Sequence, residues 1–317
     1  MTAPAYLDAT AVTALLPPPD AVAAIETALC GGLDPGADPP RAVVPVEQGQ
    51  VLLMPSSAPG RVGVKVVAVA PGNPALGLPR IQGLYLLLDA ATLAPVALLD
   101  GAALTTLRTP AVSVAAARPA LERGKGPLSV AVFGAGPQGV AHVETLAAVL
   151  RGRRRLARVT YLVARDADRA VPVVDGTQTR VERASEAAPG VVATADVVVC
   201  ATTAREPLFD GALVRDDAVV IAVGSHEPDA REVDSALAAR AQVVVDDVPT
   251  ALRENGNVVQ AVAAGVLAAR DLVPMREVAT SGTGLAAGRP VLFTSTGMAW
   301  EDLVVAAEVH ARWLAAR

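Results

Sequence analysis

The chain has 317 residues, 52% of them hydrophobic and only 3% aromatic, enough apolar material for two domains whose cores draw mainly on Ala and Val. A formal net charge of −5 and a pI near 5.3 exclude the basic face that a nucleic-acid partner requires. Pro, Gly or charge interrupts every apolar run short of a membrane span, and MTAPAYLDATAVTALL lacks a basic targeting start, so a soluble cytoplasmic protein with no membrane partner is expected.

Residues 1 to about 120 mix strand and helix signals with frequent proline. GRVGVKVVAVA (60–70), IQGLYLLLDA (81–90) and LAPVALLDG (93–101) read as strands. LRTPAVSVAAARPALE (107–122) reads as a helix, with Thr109 as N-cap and Pro110 at the first helical position. Three cations stand out because apolar or small residues flank them: Arg41 in PPRAVVPV, Lys65 in GVKVV and Arg108 in TLRTP. Cations rarely sit in such runs without a partner. Two arginines and a lysine suit the carboxylate of a small amino, imino or keto acid.

From residue 126 the pattern changes to short β-branched strands alternating with helices: LSVAVFGAG, RVTYLVAR, ADVVVCATT, AVVIAVGS and AQVVVDDV. Continuous apolar runs of this kind indicate parallel strands covered on both faces, hence a doubly wound α/β domain. The final stretch, 299–317, is an amphipathic helix that needs a surface to cover, on the first domain or at a subunit interface. Cys30 and Cys200 both lie among apolar residues and read as buried structural thiols. The three histidines, His142, His226 and His310, have no metal-ligand spacing, so no metal site is expected; His142 and His310 read as structural.

The most specific motif is SVAVFGAGPQGVAHVETL (129–146). Gly134, Gly136 and Gly139 make a G-x-G-x-x-G directly after a strand and at the start of a helix. The first glycine permits the turn, the second lets backbone approach a pyrophosphate, and the third lets helix pack closely on strand. Free N–H groups at the helix start then hold the anion. The second strand ends VTYLVARDADR, where Arg165 faces a 2′-phosphate better than a ribose diol, so NADP is favoured and NAD stands as the alternative. Asp166 reads as the cap of a following helix. The arginine run RGRRRLAR (151–158) reads as a solvated face at a helix C-terminus rather than a second phosphate site.

These stretches together resemble the ornithine cyclodeaminase/mu-crystallin family over nearly the whole chain. The resemblance is carried by RAVVPV, LLMPSS, GVKVV, LLLDAATLAPVALLDG, TTLRTPAVSVAA, VFGAGPQG, ATTAREPLF, AVGSHEPDAREVD, ALRENGNV and FTSTGMAWEDLV. It implies a homodimer with a Rossmann domain over 121–291 and an α+β substrate and dimerisation domain over 1–120, completed by 292–317. It also implies roles by position. Arg41, Lys65 and Arg108 fall at the substrate-carboxylate and catalytic positions. Met54, Glu254, Thr296 and Gly297 fall at the substrate pocket. Ala135, Pro137 and Gln138 join the three motif glycines, Arg165, Thr202, Ala222, Val223, Gly224 and Ser295 at the cofactor positions.

Within that family the chain resembles the ketimine-reductase branch. Cyclodeaminases carry an aspartate after a glycine pair where this chain has His226, a lysine where it has Ala230, and an aspartate where it has Arg165. Lys65 or His226 is read as supplying or maintaining the proton on the imine, with an ordinary loop residue as the alternative for His226; Asp229 and Glu232 read as turn and helix-cap residues. The expected activity is NAD(P)H-dependent reduction of the C=N bond of a small imino acid such as Δ1-pyrroline-2-carboxylate or Δ1-piperideine-2-carboxylate, or the related amino-acid dehydrogenation. The rival readings are ornithine cyclodeamination and NADPH-dependent ligand binding without turnover.

Overall fold

The computed structural model describes residues 4–281 and 285–317. They divide into two compact units, one comprising the chain up to Ala111 together with Met298–Arg317, the other Val112–Gly297. Among the described residues the strands make one sheet of six and one of eight. No described helix is long and apolar enough to cross a membrane.

The first unit opens with β1 (Ala5–Leu7), α1 (Ala9–Leu15) and α2 (Pro18–Cys30), followed by β2 (Ala42–Val46), β3 (Gly49–Ala58), β4 (Arg61–Val69), β5 (Ile81–Asp89) and β6 (Pro95–Asp100). Strands β2 to β6 form an antiparallel meander, and β1 joins β6 in parallel. Alternation decides which side is core, because successive side chains point to opposite faces. Leu52 and Met54 of β3, Lys65 and Val67 of β4, and Tyr85 and Leu87 of β5 are buried, while Leu53, Val66 and Leu84 share the outer face and are exposed.

Helix α3 (Gly101–Leu121) starts well before the expected Thr109. Asp100, at the end of β6, accepts the Ala103 N–H at 2.8 Å and takes the capping role. Thr109 instead lies in the helix interior, where its hydroxyl donates to the Thr105 carbonyl at 2.9 Å, and Pro110 is interior too. Cys30 is exposed at the end of α2, contrary to expectation, because the buried face of that helix is Ala21, Val22, Ile25 and Leu29; Cys200 is buried.

The second unit runs β7 (Leu128–Phe133), α4 (Pro137–Val149), β8 (Leu156–Val163), β9 (Gln178–Arg183), α5 (Ala184–Thr194), β10 (Val197–Cys200), β11 (Val219–Ala222), α6 (Ser235–Arg240), β12 (Gln242–Val245), α7 (Val248–Glu254), α8 (Gly256–Ala263), β13 (Val273–Pro274), α9 (Met275–Ser281) and β14 (Val291–Thr294). Every strand pair is parallel, in the order β13-β12-β14-β11-β10-β7-β8-β9. The run β9-β8-β7-β10-β11 is the doubly wound arrangement, with its switch point beside β7. The five strands expected from sequence are present, but no helix joins β8 to β9. Asp166 therefore caps nothing; it takes a left-handed backbone (φ 57°) in the turn after β8.

The chain ends in α10 (Ala299–Ala315), which packs within the first unit against α2, β3 and β4 and buries Trp300. Of the two surfaces open to it, the terminal helix takes the first domain.

In the second unit His142 of α4 is fully buried. Its Nδ1 donates to the Gln138 carbonyl (2.7 Å), which leaves Nε2 to accept from the Ser113 hydroxyl of α3 (3.0 Å). Burial lowers its pKa to about 4, outweighing the bond to Gln138. Between pH 4 and 6.5 the unfolded chain then binds more protons at this position than the folded one, so acidification through that window destabilises the fold. Comparing chemical denaturation of the wild type with His142→Gln across it should show a wild-type loss of up to about 3 kcal/mol that the variant lacks.

Candidate functional site

Two groups of residues, one in each unit, carry the candidate chemistry. In the first unit the sheet register assembles it. Met54 lies opposite Lys65, and Lys65 opposite Tyr85, in a cross-strand row on the buried face. Ala42 pairs with Leu53, so Arg41, one residue ahead of β2, extends that row beside Met54. Directly opposite residues of antiparallel strands share a face.

Helix α3 adds Arg108 and α10 adds two carboxylates that sequence reasoning missed, Glu301 and Asp302, both fully buried. Lys65 Nζ lies 2.7 Å from Asp302 Oδ2 and donates to the Thr105 hydroxyl at 3.4 Å. Arg108 donates through Nε to Asp302 Oδ1 (3.2 Å) and through Nη1 to Glu301 Oε2 (2.6 Å). Two cations and two carboxylates thus balance in a water-excluded cluster, the condition under which charges can be buried at all. Glu301 and Asp302 occupy the first turn of α10, where the helix dipole favours anions. Burial brings the Lys65 pKa down to about 8, against the opposing pull of Asp302 and with the help of Arg108. Burial, reinforced by the charges of Asp302 and Asp38, holds the Tyr85 phenol protonated far above its ordinary range. Among the described residues the buried Tyr85 hydroxyl and Trp300 Nε1 have no hydrogen-bond partner.

The second unit gathers its polar residues at the carboxyl ends of the parallel strands, where doubly wound sheets bind ligands. Gly134 follows β7 with φ +97°, and a Cβ there would lie 2.6 Å from the Ala201 carbonyl oxygen. A Cβ on Gly139 would collide with the Gly134 carbonyl oxygen, so helix and strand approach as closely as the motif requires. Gly136 is the N-cap of α4, faces open space and offers no side-chain cap, with Pro137 next in the first turn. These residues fit a pyrophosphate cradle, since the leading N–H groups of a helix lack intrahelical partners. Ala135 is buried between them, and Arg165 is exposed just beyond β8.

Behind the neighbouring strand ends lies a buried carboxylate that is neither turn nor cap. Glu232 Oε1 accepts the Thr202 N–H (2.8 Å) and hydroxyl (2.7 Å), and Oε2 accepts the Gly224 N–H (2.7 Å). It ties the loop after β10 to the end of β11, where Ala222 closes the strand and Val223 bonds the Cys200 carbonyl. Burial raises its pKa, offset by those three bonds. Asn257 accepts the Glu232 and Val233 N–H groups and donates to Thr294. Asp246 plays the matching part between β12 and β14, accepting Ser295 Oγ (2.8 Å) and the Thr296 N–H (3.0 Å); Ser295 Oγ in turn accepts the Gly297 N–H.

His226 is exposed in the turn after β11, which the Ser225 hydroxyl closes by donating to the Ala230 carbonyl. Glu254 ends α7, paired with Arg253. Arg154 of the arginine run donates to the Leu121, Arg123 and Gly126 carbonyls, a local structural use. The one legible trace of the missed carboxylates is AWEDLVVA, two acids inside an apolar helix start. Replacing Glu232 by Ala leaves the Thr202 and Gly224 N–H groups without an acceptor and should cost about 3 kcal/mol, read as a lower denaturation midpoint at unchanged m-value.

A model of the ornithine cyclodeaminase/mu-crystallin family matches residues 6–317. The chain is 32% identical to mouse ketimine reductase mu-crystallin over 98% of both chains. It is 35% identical to the Δ1-pyrroline-2-carboxylate/Δ1-piperideine-2-carboxylate reductase of Azospirillum brasilense, over 84% of this chain and 81% of the other. Its fold superposes on Thermococcus litoralis Δ1-pyrroline-2-carboxylate reductase, solved with NADH and L-proline, with a TM-score of 0.86 at 26% identity and 98% coverage of each. The chain belongs to the ornithine cyclodeaminase/mu-crystallin family.

Proposed function

We propose that this protein is an NAD(P)H-dependent reductase of small imino acids, of the kind represented by Δ1-pyrroline-2-carboxylate and Δ1-piperideine-2-carboxylate. The observation that carries the reading is the pair of buried cations Lys65 and Arg108, with the half-buried Arg41 one residue ahead of β2, in a chain whose second unit has a glycine turn that fits a pyrophosphate. The names of the relatives, imine reductases of the same length, support it.

Arg41 and Arg108 hold the substrate carboxylate, whose two oxygens match guanidinium donors. Met54, opposite Lys65 on the same sheet face, is a further substrate contact in the first unit. A bound reduced nicotinamide supplies hydride to the C=N carbon. That carbon accepts hydride best when the nitrogen is protonated, because the electron pair it receives is then neutralised. Lys65 supplies the proton: with a pKa near 8 it is charged at neutral pH yet gives its proton up more readily than an exposed lysine. His226 is the alternative donor of that one proton, imidazole being a common acid–base group near neutral pH. Gly134 to Gly139, Thr202, Ala222 to Gly224 and Ser295 hold the cofactor. Arg165 selects NADPH through the 2′-phosphate, and an NADH enzyme is the second reading. The apolar outer face of the first unit's sheet, with Leu53, Val66 and Leu84 exposed in one cross-strand row, supports a homodimer.

Oxidation of NADPH followed at 340 nm with the two cyclic imines tests this. Turnover with the imines is expected; ornithine with NAD releasing ammonia without net NADH would mean cyclodeamination and overturn the reading, and cofactor binding without any turnover would mean a binding protein. Lys65→Met should lower kcat by about a hundredfold or more, whereas His226→Ala tests the alternative donor directly. Activity should decline as pH rises through about 8, where Lys65 loses its proton. Arg165→Ala should raise the KM for NADPH about ten- to hundredfold with little change for NADH, since it removes a charge-assisted contact to phosphate alone.

A further inference from the structure

Within the cluster the two carboxylates differ in what they do. Glu301 accepts from Arg108 Nη1 at 2.6 Å and acts on Lys65 only through its charge, the weakest of the influences on that lysine. Asp302 bridges: Oδ1 receives Arg108 Nε and Oδ2 lies 2.7 Å from Lys65 Nζ. Among the described residues Lys65 otherwise donates to the Thr105 hydroxyl at 3.4 Å, the long end of hydrogen bonding. Each element around Lys65 contributes its neighbour: Met54 from β3 and Tyr85 from β5 are uncharged, Arg108 and Thr105 come from α3, and Glu301 and Asp302 from α10. Arg108 repels the ammonium and burial disfavours it, so the balance in its favour comes from α10, chiefly Asp302.

We propose that Asp302 is a positioning residue for imine reduction: its carboxylate orients the Lys65 ammonium and supplies the countercharge that keeps this buried lysine protonated until it delivers its proton to the imine nitrogen. The inference rests on the reductase reading. In the delivery step the Lys65 Nζ–H bond breaks, an N–H bond forms on the substrate, and the neutral amine left beside Asp302 regains its proton from water. Holding the lysine from the first turn of α10 ties the donor's aim to the terminal helix, and Arg108, which faces the substrate carboxylate, is aimed by the same Asp302 side chain. One residue would thereby set the angle between proton donor and carboxylate anchor.

The test pairs a titration that needs no turnover with a kinetic one. In the cofactor-free chain, NMR of lysine ε-carbons, assigned by comparison with Lys65→Arg, should place the wild-type Lys65 midpoint near 8. Asp302→Asn should lower that midpoint by about one pH unit or more. The alkaline limb of the kcat profile should move the same way, and plateau kcat should fall about tenfold or more with the KM for NADPH unchanged. Asp302→Glu keeps the charge but displaces it, so the titration should stay near the wild-type value while kcat still falls. An unchanged Lys65 midpoint and limb in Asp302→Asn, or full kcat in Asp302→Glu, overturns the proposal. If Asp302→Asn does not fold, the Asp302→Glu kcat decides alone. A wild type that reduces no imine instead overturns the reductase reading, and the NMR titration still reports separately on what Asp302 does to Lys65.

Discussion

The structure of the first unit turns on a charge constraint. Lys65 and Arg108 are both removed from water, at 2% and 6% exposure, on the core side of a sheet otherwise lined by Leu, Val, Tyr and Met. An isolated charge there would be prohibitive, and the cluster is tolerable only because Glu301 and Asp302 match it one for one with good geometry. That requirement brings three separate parts of the chain together: strand β4, helix α3 directly after the sheet, and the first turn of the terminal helix. Removing any partner leaves a buried charge uncompensated, so the arrangement favours one packing of α10 over any rotated or slid alternative. The same balance leaves a lysine and an arginine side by side on one carboxylate, the pair on which the proposed reductase chemistry rests.

The second unit solves a different version of the problem. Its central strands are short and buried on both faces, so specificity lies at their carboxyl ends, where backbone N–H groups emerge from the sheet. Glu232 satisfies donors from the ends of β10 and β11 and Asp246 donors after β14, and Asn257 connects Glu232 to Thr294 in the middle of the sheet. A buried carboxylate with three donors on it fixes those donors in place. The loops that follow β10, β11 and β14 are thus held from behind, while the glycines after β7 leave their front open.

Much of this was legible before any coordinates. Alternation and β-branching identify strands β4 to β8 and β10 to β12, because strand formation at these positions follows side-chain shape and burial. The start of α3 was misread because Thr109-Pro110 is a good local N-terminus, yet Asp100 offers a cap at the point where the chain leaves β6, and the helix nucleates at the earlier one. Glu232 was assigned to a cap for a similar reason: SHEPDAREVD is dense in charge and reads as solvated, whereas the fold turns one of its acids inward beneath Thr202. Asp234, two residues on, is the acid that caps α6. The apolar neighbours of Cys30 suggest the core, but helical periodicity turns it away from the stripe of Ala21, Val22, Ile25 and Leu29 that α2 buries.

By itself the sequence determined the doubly wound character of the second unit, the glycine turn after β7, and two cations, Lys65 and Arg108, that the fold buries in the first. Each is written in contiguous residues whose local geometry carries the meaning: a strand, a turn that only glycine tolerates, a helix start, or a cation set in an apolar run. Only the tertiary structure decided what those cations face. Arg108 meets Asp302, 194 residues further along the chain, and Lys65 meets the same carboxylate through a sheet register that a one-residue slip would reverse. Long-range pairing of this kind leaves no periodicity to read, because it depends on where a terminal helix lands and not on what stands beside it in the chain.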